Sequence, residues 1–272
     1  MRTESTSKPY DALYGEFDSP LMRRFRCEAY GEDIGQHSWV SAAELRADIR
    51  RLGLTSSQRC LDLGCGPCGP LTFILRSTGC RATGLDISSA AVDAGRRRAA
   101  SFGVDHLATI EQADLNAALP QEGRSFDAVI SLDVVVHVRD RTSLFREIAR
   151  MLIPGGKFLF TDAAVVIGAI SSEEVASRST YGYMQFVAPG VNERALEKAG
   201  LQLMEVEDRT KSVLANASGR LAARCAHREE FEAVEGASVF EREVQYLETV
   251  IALARRGALS RLMYLATCND TR

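Results

Sequence analysis

The chain has no run that approaches the ~20 apolar residues a membrane helix requires. Its beginning, MRTESTSKPYDALYGEFDSP, lacks the apolar centre of a secretory signal. An excess of positive charge is missing too: 33 Lys and Arg stand against 36 Asp and Glu, a net charge of −3. Such a balance offers no field for a polyanion, so no nucleic-acid partner is expected. The cluster Arg96-Arg97-Arg98 is read as a solvated helix face. Cysteine has no framework spacing, and its count of seven is odd. Without an export signal these are expected to be reduced thiols in the cytoplasm. Repeats and low-complexity linkers are absent. What remains is ordinary globular composition, 46 % apolar and 25 % charged over 272 residues, enough for one large domain or a domain with a cap.

Residues 1–40 are turn-rich and aromatic, with Tyr10, Tyr14, Phe17, Phe25, Tyr30 and Trp39. Ser41-x-x-Glu44 is a capping box that predicts a helix with Leu45, Ile49 and Leu52 on one face and Gly53 as C-cap. An alternation follows. Strands are predicted over 59–63, 81–87, 107–113, 126–132 and 157–161. Helices are predicted over 71–78, 88–102 and 142–152, with a turn at Pro154-Gly155-Gly156. This βαβα order implies a doubly wound parallel sheet covered by helices on both faces. Residues 170–190 interrupt it with Tyr181, Tyr183, Met184 and Phe186. A helix over 192–200, a strand over 201–206, helices over 211–233 and 239–256 and a strand over 261–267 complete the chain. Ser238-x-x-Glu241 reads as the capping box of the last helix. The expected division is a lid segment at 1–40, a core at 41–210 and 258–272 with a cap insertion at 170–190, and a helical insertion at 211–257.

The stretch CLDLGCGPCGP at 60–70 admits three readings. Zinc needs further ligands at suitable spacing, and no second paired motif exists, so no metal is expected. A CGPC dithiol needs an exposed low-pKa thiolate, and Gly64 rather than an aromatic residue precedes Cys65. A cofactor loop needs Gly64-x-Gly66-x-x-Gly69 between strand and helix, with an acid about 20 residues on. Asp86 stands there, at the end of the second strand, where one carboxylate can accept from two ribose hydroxyls. The third reading is favoured, for an adenosine-containing cofactor. A pyrophosphate would want free N–H groups, yet the loop contains Pro67 and Pro70, which have none. Asp62 would repel a pyrophosphate and attract a cation. Both points favour S-adenosylmethionine, with its ammonium and sulfonium, over a dinucleotide.

Taken together, LDLGCGPCG, GLDIS, QADLN, FDAVISLDVVVHV, LIPGGKFLFTD and LEKAGLQLMEVED resemble the class I S-adenosylmethionine-dependent methyltransferases of the small-molecule type, over residues 58–210. The resemblance implies a Rossmann-like sheet of seven strands with the last antiparallel, plus a helical cap from the N-terminus and late insertions. It implies that Gly64, Cys65 and Gly66 wrap the methionine part of the cofactor and that Asp62 supports its amine. Asp86 would hold the ribose, Ile87 would lie beside the adenine, and Asp114 with Leu115 would hold the adenine amino group. Leu132 and Asp133 would border the methyl-transfer cavity. Pro67-Cys68 departs from the family's usual small residues. The family's base-methylating members carry a Pro-Pro-aromatic tetrapeptide where this chain has Ser131-Leu132-Asp133-Val134.

His137, just past the fourth strand, is the expected base for a hydroxyl acceptor; the alternative is that it only hydrogen-bonds nearby backbone. Gln36 is expected to close the methionine end, with Tyr14, His37 and Trp39 beside the acceptor. Tyr181, Tyr183 and Phe186 are expected to wall a small organic acceptor, which with a homodimer completes the partners considered. Expected chemistry is N- or O-methylation by in-line displacement. C-methylation, or a cofactor-binding regulator without catalysis, are the alternatives.

Overall fold

In the computed structural model the described residues are Tyr14 and residues 17–269. Whatever the sequence suggested for 1–13, 15–16 and 270–272, Tyr10 included, lies outside them.

The sheet forms where β-branched and aliphatic runs alternate with capped helices. Its strands are β1 (Arg59–Leu63), β2 (Arg81–Asp86), β3 (Ala108–Gln112), β4 (Phe126–Leu132), β5 (Leu152–Val166), β6 (Leu201–Asp208) and β7 (Leu259–Cys268). They lie in the order β3-β2-β1-β4-β5-β7-β6. The first five are parallel, and β7 runs antiparallel between β5 and β6. The order reverses beside β1, which opens a crevice at the carboxyl ends of β1 and β4.

Both faces are covered, as a parallel sheet requires. On one face α2 (Ala42–Leu52), α3 (Gly69–Thr78) and α4 (Ser89–Ser101) surround Cys60, Leu71, Ile74 and Leu159. On the other, α5 (Arg141–Met151) and α7 (Val191–Lys198) cover Leu61, Leu63, Phe145 and Tyr264. Leu61 and Leu63 thus point one way from β1 and Cys60 the other, the period of two expected of a pleated strand. The second face is held by a run of rings: Phe158 on Phe160 and Phe160 on Tyr264, each with centroids 4.8 Å apart.

Five local expectations are corrected. Residues 20–30, read as turn-rich, form a helix, α1 (Pro20–Tyr30), capped by Ser19 and burying Phe25, Arg26 and Ala29. The expected turn at Pro154–Gly156 is a bulge inside one 15-residue strand, since pairing jumps from Phe126↔Leu152 to Ala128↔Lys157. The expected helix over 211–233 breaks at His227 into α8 (Thr210–Ala226) and α9 (Arg228–Glu235). The break folds α9 back so that Phe231 meets Phe25, with ring centroids 5.5 Å apart. The box Ser238-x-x-Glu241 does not form, because α10 (Ala237–Arg255) already starts at Ala237 with Gly236 as N-cap, which puts Ser238 inside the first turn; Glu241 accepts from Arg228 at 2.7 Å. Arg98, expected in solvent, is 8 % exposed and pairs with Asp18.

Residues 170–190 hold one short helix, α6 (Ser172–Arg178), opened by a capping box of Ser171 and Glu174. Helices α6, α8 and α10 pack together, with α1 against α8, above the crevice.

Candidate functional site

A cavity of about 220 Å³ opens at the carboxyl ends of β1, β2 and β4. Its floor is the loop after β1. Gly64 and Cys65 donate their backbone N–H groups to Leu85 O at 2.7 and 3.0 Å, and Gly66 donates to Asp86 Oδ2 at 2.8 Å. The loop is therefore tied to the second strand along three successive residues. At Gly64 φ is +75°, and a Cβ would meet Val134 Cγ2 at 2.4 Å; at Gly69 a Cβ would meet the Gly35 carbonyl oxygen at 1.8 Å. The segment 34–35 thus lies directly against the loop.

The three acids at this end differ. Asp62 is 3 % exposed, and no hydrogen bond or ion pair holds its carboxylate among the described residues. Burial, and then the charge of Asp86, raise its pKa to about 7. Asp86 Oδ1 accepts from Ser88 N at 2.9 Å while Oδ2 holds the loop, so both oxygens are oriented by backbone. Asp114 is exposed and caps a turn through Asn116 N at 2.9 Å, with Leu115 and Ile87 half-buried nearby at the cavity wall.

The CGPC thiols are enclosed and free. Cys65 has its thiol pKa pushed well above the ordinary value, first by its hydrogen bond with Cys68 and then by burial. Cys68 is fully buried, with φ +58°. Neither sulfur has the exposure of a reactive dithiol, and the Cys65 thiol is shifted away from the low pKa such a centre needs.

At the other end, Asp133 sits at φ +61° after β4. Its Oδ1 accepts from Arg261 Nε and Thr161 Oγ1, both at 2.8 Å, and its Oδ2 accepts from Trp39 N at 3.0 Å. Asp133 borders the cavity with Leu132, but its carboxylate is used by protein groups. His137 follows on a short 3₁₀ turn (Val135–His137). Its Nδ1 lies 2.8 Å from Tyr183 O, so Nδ1–H is the donor and Nε2 the basic nitrogen of the neutral ring. Burial lowers its pKa, holding it neutral at physiological pH.

Rings form the roof. His37 meets Tyr14, Phe17 and Tyr181 edge-on at centroid distances of 6.0, 6.3 and 6.5 Å. Enclosure, and then the charges of Arg220 and Arg26, push its pKa down to about 3, so it is a neutral wall. Trp39 stacks on Tyr246 at 6.3 Å and 19°. Tyr181 donates its hydroxyl to Glu243 and meets Tyr246 edge-on.

The expected site residues Tyr14, His37, Trp39, Tyr181 and Tyr183 all line this cavity, as do the acids, the loop glycines and His137. Two do not. Gln36 turns inward, accepting from Ile34 N at 2.8 Å and donating to Glu32 O at 3.0 Å, which shapes the turn rather than the cavity. Phe186 packs with Leu253, Ala258 and Leu259 behind the cavity wall. Sequence reading missed Arg178, Arg220 and Tyr246, which line the cavity from α6, α8 and α10. A signal existed for Arg220. Val213, Ala217, Arg220 and Arg224 occupy the buried stripe of α8, where an arginine is out of place without a partner.

Seven strands in this order, with a glycine loop and acids at the carboxyl ends of the first two, define a Rossmann-like protein with a nucleoside-cofactor crevice. A family model described as a methyltransferase domain matches residues 61–160. The chain is 32 % identical over 213 residues to 27-O-demethylrifamycin SV methyltransferase of Amycolatopsis mediterranei (strain S699), covering 74 % of this chain and 75 % of that protein. It is 31 % identical over 164 residues to methyltransferase GfsG of Streptomyces halstedii, covering 58 % of each. It thus spans less than two thirds of the length of GfsG. Among solved structures, Haemonchus contortus phosphoethanolamine N-methyltransferase 2 in complex with phosphomonomethylethanolamine and S-adenosylhomocysteine has the same fold. The TM-score is 0.82 at 22 % identity, covering 99 % of this chain and 61 % of that one. The chain belongs to the S-adenosylmethionine-dependent methyltransferases, the family its glycine loop and paired strand-end acids resemble.

Proposed function

We propose that the chain transfers a methyl group from S-adenosylmethionine to oxygen or nitrogen of a small organic molecule. The observation that carries this is Asp62: a buried carboxylate without a partner among the described residues, beside a glycine loop and one strand from Asp86. A buried acid held near neutrality suits a ligand that brings its own cation, and the cofactor's ammonium is one. Asp86, with both oxygens oriented by backbone N–H groups at the end of β2, stands where one carboxylate can accept from two ribose hydroxyls. Pro67 and Pro70 remove donors a pyrophosphate would need.

When bound, the cofactor supplies an electrophilic methyl on a sulfonium. The chain's work is then to hold the acceptor in line and keep water out, which can supply about 7–11 kcal/mol of a barrier. Trp39, Tyr181 and Tyr246 supply a wall of rings. His137 takes a proton at Nε2 from a hydroxyl, with Tyr183 O fixing the ring through Nδ1–H. A protic acceptor, oxygen or nitrogen, uses this arrangement better than carbon does.

The division into a core, a lid at 1–40 and insertions at 170–190 and 211–257 is part of the same proposal. It is supported by Trp39, Arg178, Arg220 and Tyr246 meeting over the crevice from those three segments. A net charge of −3 supports a small molecule over nucleic acid as partner, and seven free thiols support the cytoplasm. No helix among the described residues is long and apolar enough to cross a membrane. Calorimetry with S-adenosylhomocysteine tests the cofactor. Micromolar binding is expected, and none at millimolar ligand would sink the reading.

A further inference from the structure

Eight arginines of the described chain are buried: Arg26, Arg98, Arg141, Arg178, Arg209, Arg220, Arg224 and Arg261. Six have a carboxylate in ion-pair range. Arg26 pairs with Asp33, Arg98 with Asp18, Arg141 with Asp162, Arg209 with Asp48, Arg224 with Glu235, and Arg261 with both Asp133 and Glu44. The two exceptions are Arg178 and Arg220, at 2 % and 7 % exposure. Both line the cavity, from different helices.

The groups they touch directly among the described residues are neutral. Arg178 donates to Tyr246 Oη at 2.6 Å and to Ala163 O at 3.3 Å, and lies over the Tyr246 ring at 5.3 Å. Arg220 lies over the Trp39 ring at 4.9 Å and interacts with the Tyr30 hydroxyl. Trp39 stacks on Tyr246, so both guanidinium groups lie against one stacked pair of rings. Ring faces and hydroxyls offset only part of the cost of burying a guanidinium; a carboxylate or phosphate does it far better.

The acids near this end are already used. Asp133 is held by Arg261, and Asp162 by Arg141 and Asn192. Glu243 accepts from the Tyr181 hydroxyl; its charge is felt by Arg220 and Arg224, but it forms no ion pair with either. Asp62 and Asp86 lie at the loop end and serve the cofactor in the reading above. Two buried guanidinium groups without an ion-pair partner among the described residues therefore face one cavity.

We propose that Arg178 and Arg220 form an anion-binding end of the cavity, and that the methyl acceptor carries a carboxylate or phosphate group seated there. The acceptor role rests on the methyl-transfer reading; the anion site does not. An anion held by these guanidinium groups lies beside the ring wall, so the acceptor presents its nucleophile toward His137 and its charge toward the arginines.

The single tryptophan, Trp39, makes its own fluorescence a reporter of this end. Benzoate, phenyl phosphate and neutral benzamide are titrated with and without saturating S-adenosylhomocysteine. At least one anion should bind about tenfold or more tighter than benzamide, and Arg178→Met and Arg220→Met should each lower that affinity at least about tenfold. Benzamide and S-adenosylhomocysteine should bind the variants within about threefold of the parent, as ligands that avoid the charge. Preference for benzoate identifies the group as a carboxylate, and preference for phenyl phosphate as a phosphate. Equal binding of all three probes, binding of neither anion, or anion affinity unchanged in both variants overturns the proposal. The comparison in the parent protein stands even where a variant does not fold. Failure of S-adenosylhomocysteine to bind while the anion preference holds would remove the acceptor role and leave the anion site.

Discussion

The backbone N–H of Gly66 donates to Oδ2 of Asp86 at 2.8 Å, joining the glycine loop after β1 to the last residue of β2. One carboxylate therefore shapes the loop and, in the proposed function, accepts from the ribose. Asp86→Ala should lose two hydrogen bonds to a charged acceptor, each worth about 1.5–3 kcal/mol, and so weaken S-adenosylhomocysteine binding at least about a hundredfold. Asp86→Asn, which keeps one oxygen for Gly66, should lose less. An unchanged dissociation constant for the alanine variant, read by calorimetry, would remove Asp86 from the site.

Asp62 makes cofactor binding depend on pH. Its pKa stands at about 7 in the free protein, and a bound ammonium favours the carboxylate. Below pH 7 binding must then release a proton, so affinity falls as pH falls, by up to about tenfold per unit. Above pH 7 the carboxylate is already charged and the dependence vanishes. Asp62→Asn should bind weakly with a flat profile between pH 5.5 and 8. Calorimetry in two buffers of different ionisation enthalpy measures the released proton; none at pH 6 in the parent protein would disprove the assignment.

His137 is held neutral by burial, with Nδ1 fixed by Tyr183 O. For a hydroxyl acceptor His137→Ala should lower kcat by about 10²–10⁴-fold, with cofactor affinity nearly intact. For an amine that arrives neutral the loss should be smaller and fall on KM for the acceptor. Loss of cofactor affinity equal to the loss of turnover would show that the residue supports the fold of the cavity instead.

Cys65 and Cys68 should be inert as a redox pair. Their sulfurs are enclosed, and that of Cys65 has a raised pKa. Cys68→Ser should keep most of the activity. Cofactor affinity should not change between reducing and oxidising buffer, and a change that both serine variants abolish would restore the dithiol.

Arg261 is fully buried between Asp133 and Glu44 and ties β7 to the turn after β4 and to α2. Arg261→Met leaves two acids without their cation and should cost about 3–5 kcal/mol. A fall of less than a few degrees in Tm would mean that the acids are solvated or repaired by neighbours.

Much of the architecture was legible because its signals are local. The box at Ser41–Glu44 and the glycines between β1 and α3 each act within one turn. The one box that misled, Ser238-x-x-Glu241, failed because the helix starts two residues earlier than the box implies, with Gly236 as its N-cap. Gln36 was misplaced for a related reason. An amide can bond its own turn as well as a ligand, and here Ile34 and Glu32 take it. Phe186 went to the outer wall because Leu253 and Leu259 offer it an apolar bed that no nearby residue reveals.

By itself the sequence determined the order of strands and helices, the glycine loop, and the acids that end β1 and β2. These depend on backbone preference and on neighbours only a few residues away. Only the tertiary structure decided which buried charges are matched. Arg141 finds Asp162, Arg209 finds Asp48 and Arg261 finds Asp133, over separations of 21, 161 and 128 residues. Arg178 and Arg220 look no different in the chain, yet they come to rest against rings, with no carboxylate in ion-pair range among the described residues. Pairing of charges is settled by which surfaces the packed helices bring within a few ångströms of each other. That distance is a property of the folded whole, and it is what separates a structural arginine from one that waits for a ligand.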